Sequence, residues 1–162
     1  MGDTNTDEKT KAARPTWDEY FIRMAELAST RSVCSRSKCG AVIVKDKNVI
    51  STGYNGAPHG QPNCLEVGFC YRNKNAIKSG TSPELCRAAG CHSESNAIAL
   101  AAKHGNATTG ATMYIYGNSD ICTQCRGMIA NCGITRVVYM TKFQVMSEYK
   151  VPEDWSVHPV DR

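Results

Sequence analysis

The sequence lacks any long apolar run. Its longest, residues 41–44 and 97–102, fall far short of the ~20 residues that cross a bilayer, so no membrane-spanning helix is expected. Aromatic residues are scarce, at 7%, with 2 Trp and 3 Phe. The excess of one charge sign is small: 19 Lys and Arg against 15 Asp and Glu give +4. A reader of nucleic-acid polymers would show a basic stripe interleaved with stacking aromatics. This chain shows neither, although its balance suits a small anionic ligand. Residues 1–14 are polar, without the apolar core of a signal peptide. They read as a flexible tail before one domain over 15–162, and the protein is expected in the cytoplasm. The chain has no internal repeats, and 162 residues are one domain's worth.

What the chain does have is cysteine. There are nine: Cys34, Cys39, Cys64, Cys70, Cys86, Cys91, Cys122, Cys125 and Cys132. The count is odd, and the chain is long enough to bury a core without staples. In a reducing compartment such a set reads as metal ligands plus buried thiols rather than disulfides. Zinc is the default for mixed thiolate and imidazole ligands.

Local patterns give the elements. Thr16 followed by Glu19 is a capping box. Phe21, Ile22, Met24, Ala25, Leu27 and Ala28 then form an apolar stripe at helical spacing. Residues 39–45 and 49–54 read as strands joined by the turn Asp46-Lys47-Asn48, hence a hairpin. Residues 56–91 lack sustained periodicity, and an irregular stretch of that length is usually functional or pinned. A helix is expected over 93–104 with Gly105 ending it. A strand over 111–116, a helix over 122–131 closed by Gly133 and a strand over 135–140 follow. The order implies an α/β fold with a parallel crossover near its end. Residues after Met140 allow both short helical and extended readings.

Two segments carry chemistry: Cys91-His92-Ser93-Glu94 and Cys122-Thr123-Gln124-Cys125. Each sits at the start of an expected helix, and a strand separates the helices. Side by side on one sheet face, they would bring His92, Cys122 and Cys125 together as three zinc ligands. Three protein ligands leave a fourth position open, the pattern of a catalytic site. Helix N-termini favour thiolates. Glu94 lies two residues past His92, placed to overhang that open position. Alone, Cys122-x-x-Cys125 could equally be a redox pair or half of a structural zinc site.

Together the segments match the His-x-Glu…Cys-x-x-Cys signature of zinc deaminases. The sequence resembles the cytidine deaminase superfamily and, within it, the deoxycytidylate (dCMP) deaminases. The resemblance runs through Trp17-Asp18-Glu19-Tyr20-Phe21, Arg31-Ser32-x-Cys34, Gly40-Ala41-Val42-Ile43-Val44 and Ser51-Thr52-Gly53-Tyr54-Asn55-Gly56-Ala57-Pro58. It continues through His92-Ser93-Glu94-Ser95-Asn96-Ala97-Ile98 and Cys122-x-x-Cys125. It implies a three-layer α-β-α sandwich with a mixed sheet. The implied reaction is hydrolytic deamination of dCMP to dUMP and ammonia, supplying thymidylate synthesis, with Glu94 moving the protons. The family usually has Ala at position 93 and Pro at position 121, where this chain has Ser93 and Ile121. The connection into Cys122 is also about two residues longer than usual.

The resemblance assigns further roles. Asn55 would meet the sugar hydroxyl, Gly53, Tyr54 and Gly56 would line the nucleotide pocket, and the backbone at Ile121 would touch the base. Arg31, Lys38, Arg72 and Arg87 are the candidates for the phosphate. A second, structural zinc would use Cys34, Cys64, Cys70 and Cys86, with His59 as an alternative ligand, and would order the irregular loop; the other reading is buried, inert thiols. Cys39 and Cys132 read as packing residues. Relatives of this kind are commonly homo-oligomers, hexamers among them, activated by dCTP and inhibited by dTTP. Competing functions are deamination of another small cytosine compound, such as cytidine or dCTP, a polynucleotide-editing deaminase, and a silent zinc module.

Overall fold

Thr16 starts the first helix as the sequence predicts. Its hydroxyl accepts from the Glu19 N–H, and the Glu19 carboxylate accepts from the Thr16 N–H at 2.7 Å. In the computed structural model, which describes residues 14–117, 120–151 and 153–154, helix α1 spans Trp17–Ser29. It buries Phe21, Ile22 and Ala25. Strands β1 (Gly40–Lys45) and β2 (Asn48–Tyr54) form the expected antiparallel hairpin. The turn is tighter than the three residues read from sequence: Lys45 pairs with Asn48, and Asp46 and Lys47 both take left-handed φ, at 50° and 63°. That geometry matches the twist of the flanking strands.

The irregular stretch holds two one-turn helices, α2 (Cys64–Val67) and α3 (Tyr71–Lys74), and a 3-10 turn at Pro83–Leu85. The chain then enters α4 (Ser93–Lys103), β3 (Thr112–Tyr116), α5 (Thr123–Asn131) and β4 (Arg136–Met140). A final strand, β5 (Met146–Lys150), was not legible in the sequence. The sheet order is β2-β1-β3-β4-β5; β3 and β4 run parallel and the other pairs antiparallel.

The sheet has a core on each face. Phe21, Ile22 and Ala25 of α1 pack with Val42, Val44, Tyr114 and Val138. On the other face Ala97, Ile121, Cys125 and Ile129 pack with Ala41, Ile43, Met113 and Val137. Alternate residues of each strand serve opposite faces, so the result is the mixed-sheet, three-layer α-β-α sandwich expected. Two glycines set the layer spacing. A Cβ at Gly40 would stand 2.0 Å from the Ala25 carbonyl oxygen, and one at Gly53 2.2 Å from the Ser93 carbonyl oxygen. The helices lie directly against strand backbone at those points. The tail of residues 1–13, Asn118 and Ser119 within the connection into Cys122, Pro152, and residues 155–162 lie outside the described residues. No helix among the described residues is long and apolar enough to cross a membrane.

Candidate metal centre and its carboxylate

Helices α4 and α5 lie together on one face of the sheet, and the sequence starts both at a ligating side chain. His92 is the N-cap of α4 and Cys122 the N-cap of α5. The two helix starts meet. His92 Nδ1 lies 3.4 Å from Cys122 Sγ and 3.6 Å from Cys125 Sγ. Among the described residues this is the one group of three or more possible ligands whose donor atoms lie within 4.8 Å of one another. Tetrahedral zinc, with Zn–N near 2.0 Å and Zn–S near 2.3 Å, sets its nitrogen and sulfur ligands about 3.6 Å apart. The donor set and its spacing therefore fit zinc.

A backbone N–H holds one of the two sulfurs: the Cys125 N–H donates to Cys122 Sγ at 3.5 Å. Helix α5 thus turns its positive end toward the Cys122 thiolate. Hydrogen bonds from Cys125 and His92 pull the Cys122 thiol down to about 4. The same Cys122 hydrogen bond, together with burial, pushes Cys125 up, so of the two sulfurs Cys122 is the thiolate. His92 is pushed up by its hydrogen bond to Cys122, against burial, with the Cys122 and Glu94 charges adding to the rise. A metal that takes all three ligands displaces the protons they share.

Glu94 is only 2% exposed. Its charge adds to the rise of the His92, Cys125 and Cys39 pKa values. Oε2 accepts a hydrogen bond from Ser93 Oγ at 2.8 Å. Oε1 is buried with no partner. A buried carboxylate oxygen without a donor is an exception in folded proteins and calls for an explanation.

The residues expected around a nucleotide fall less uniformly. Gly53, Tyr54, Asn55 and Gly56 run along the end of β2 beside α4. Asn96 donates to the Tyr54 carbonyl at 2.8 Å, and the Gly56 N–H donates to the Cys91 carbonyl at 3.2 Å. The Asn55 amide already has partners within the fold. Its Oδ1 accepts from the Cys39 N–H at 2.9 Å and its Nδ2 donates to the Ser37 carbonyl at 2.8 Å. The side chain thus latches the segment entering β1. The Ile121 side chain is buried in the core, and its carbonyl accepts from Arg126 Nε at 2.8 Å. Of the four cations considered for the phosphate, Arg72 is buried and committed to the carbonyls of Lys78, Thr81 and Ser82. Arg31 and Lys38 are exposed, and Arg87 is half-buried with Nε unpartnered.

Cys34, ahead of β1, and Cys64, Cys70 and Cys86 of the loop do not form a ligand set. Burial raises the Cys64 thiol, and the charges of Cys70, Cys34 and Cys86 raise it further. The four sulfurs nevertheless stand outside mutual ligand distance. A hydrogen-bonded alternative already pins part of the loop, namely the Arg72 guanidinium on its three carbonyls.

One contact escaped the sequence reading, the Ser93 hydroxyl on Glu94; its signal was Ser where alanine is usual. A cavity of about 440 Å³ also opens between α4 and α5 against His92 and Cys125, bordered by Ser95, Gln124, Met128 and Asn131. Neither Glu94 nor the residues 53–56 line it, so it lies away from the expected nucleotide side.

Comparison with known proteins agrees with this geometry. A family model described as the cytidine and deoxycytidylate deaminase zinc-binding region matches residues 15–141. A deoxycytidylate deaminase of Mycobacterium phage D29 is 42% identical over 130 residues, covering 78% of this chain and 96% of the phage protein. That of Schizosaccharomyces pombe is 39% identical over 134 residues, covering 83% of this chain and 40% of the yeast protein, so the chain spans under half of that relative. A crystal structure of the dCMP deaminase from cyanophage S-TIM5, in complex with dCMP and dUMP, matches with a TM-score of 0.60 at 29% identity. The match covers 80% of this chain and 84% of that one.

Proposed function

Because the chain belongs to the cytidine and deoxycytidylate deaminase family, we propose that it catalyses zinc-dependent hydrolytic deamination of dCMP to dUMP and ammonia. The observation that carries this reading is the buried, unpartnered Glu94 Oε1 next to the His92, Cys122 and Cys125 cluster. His92, Cys122 and Cys125 would hold the zinc. Zinc, when bound, supplies a Lewis acid that brings the pKa of water to about 7.

Glu94 does the proton work. Its carboxylate takes a proton from the attacking water and delivers it to ring N3 as C4 becomes tetrahedral. It then carries the second proton to the amine, which departs as ammonia. One carboxylate serves as base and acid in turn because both proton sites are within its reach. Its burial excludes bulk water that would compete for those protons. Residues 53–56 and the backbone at Ile121 form the nucleotide side, and Arg31, Lys38 and Arg87 are the cations left for the phosphate.

The reading extends to a single deaminase domain over 15–162 in a cytoplasmic homo-oligomer, a hexamer, that feeds dUMP to thymidylate synthesis and responds to dCTP and dTTP. It also includes a second, structural zinc that draws Cys34, Cys64, Cys70 and Cys86 together. Two zincs per chain, falling to one in Cys64→Ser, is the expected metal content; one per wild-type chain contradicts the second site. The substrate is tested by parallel absorbance assays of dCMP, CMP, deoxycytidine and dCTP, each with and without added dCTP or dTTP. Turnover of dCMP well above the others is the expected result. Preference for a different compound, or no turnover of any by zinc-loaded protein, overturns the substrate assignment.

A further inference from the structure

The two oxygens of the Glu94 carboxylate are chemically equivalent in a free side chain and inequivalent here. Oε2 is held by Ser93 Oγ at 2.8 Å, and Oε1 is buried and unpartnered. Successive residues on a helix do not face each other. The hydrogen bond between these neighbours therefore holds the carboxylate in one orientation. Ser93 is itself immobilised. It is 0% exposed, and its backbone lies so close to β2 that a Cβ at Gly53 would stand 2.2 Å from its carbonyl oxygen. The hydroxyl is thus delivered to Oε2 by the packing of α4 on the sheet.

Deepening the deaminase reading and resting on it, we propose that Ser93 is a positioning residue that holds Oε2 and so assigns proton transfer to Oε1. With Oε2 occupied by a donor, Oε1 is the oxygen that collects the proton from water and hands it on. A buried oxygen without a donor is costly to keep, and a water at the His92, Cys122 and Cys125 cluster would give Oε1 the donor it lacks. Losing the clamp lets the carboxylate sample orientations in which Oε1 is misdirected. Such a fault lowers the rate of the chemical step without weakening substrate binding.

The test is steady-state kinetics on dCMP for zinc-loaded wild type, Ser93→Ala, Ser93→Cys and Ser93→Thr, with zinc content and melting temperature measured on each. We expect Ser93→Ala to lower kcat about five- to tenfold while KM stays within about twofold and zinc content is unchanged. Ser93→Cys, whose thiol is a weak donor, should resemble Ser93→Ala, so the result does not depend on one variant folding. Ser93→Thr, which keeps the hydroxyl, should return kcat to within about twofold of wild type. A Ser93→Ala enzyme as fast as wild type overturns the proposal. So does a loss that appears in KM, in zinc content or in melting temperature instead of kcat. An inactive wild type removes the deaminase reading and this proposal together, whereas an active wild type with an equally active Ser93→Ala removes the proposal alone.

Discussion

Cys125 concentrates what a single side chain does in this site. It is buried, and its Sγ lies 3.6 Å from His92 Nδ1 of the neighbouring helix start. A hydroxyl in its place is a poor zinc donor. Cys125→Ser is therefore expected to hold less than about a tenth of the wild-type zinc after dialysis, read by metal analysis, and to lose turnover in proportion. Full zinc retention would show that the ligand set lies elsewhere. Residue identity was the most legible level of the site. His92, Glu94, Cys122 and Cys125 stand out because few side chains bind zinc or carry protons. The contacts of Asn55 and Ser93 were not legible, since each depends on a partner that only the fold supplies. The Asn55 amide bridges the Ser37 carbonyl and the Cys39 N–H, contacts across a long sequence gap that no spacing rule contains.

The placement of α4 on β2 fixes where the carboxylate and the histidine stand. Gly53 permits that placement, because any Cβ there would meet the Ser93 carbonyl oxygen at 2.2 Å and the Ala97 N at 2.4 Å. Both obstacles are backbone, so the helix itself must move. Gly53→Ala is expected to cost about 1–3 kcal/mol by chemical denaturation and to lower kcat/KM about 100-fold through displacement of Glu94. Wild-type stability and activity in that variant would refute the close approach. Helices and inner strands were read correctly because their apolar spacing and end signals agree: the Thr16–Glu19 box starts α1, and Gly105 and Gly133 end α4 and α5. Strand β5 escaped because Met146-Ser147-Glu148-Tyr149-Lys150 alternates between exposed and half-buried. An edge strand of that kind carries too few apolar residues to stand out from a polar tail.

At the scale of the whole molecule, one ion-pair network ties the first helix to the far strands. Asp18 of α1 accepts from Tyr114 Oη at 2.7 Å and from both terminal nitrogens of Arg136, at 2.9 and 2.7 Å. Arg136 also pairs with Glu148 of β5. The Arg136 hydrogen bond, helped by Tyr114 and opposed by burial, holds the Asp18 carboxyl below its ordinary value. A carboxyl lowered on folding contributes stability above its unfolded pKa, and that contribution disappears as pH falls through the folded value. Asp18→Asn is expected to lose about 1–2 kcal/mol at pH 7 and to show a shallower further loss below pH ~4 than wild type, in urea titrations across pH. Equal stabilities at pH 7 would contradict the network's role. The irregular loop of residues 56–91 is the part of the molecule least legible in sequence, because its order comes from side chain to carbonyl bonds such as those of Arg72 and not from periodic packing.

The central claim is that a buried carboxylate beside a His, Cys, Cys zinc site moves the protons of dCMP deamination. Its most direct test is dCMP turnover by the zinc-loaded wild type alongside Glu94→Gln at equal zinc content. Glutamine keeps the shape and removes the base. Ammonia release by the wild type and a fall of about 10³-fold or more in Glu94→Gln is the predicted result. Comparable turnover by the two would contradict it.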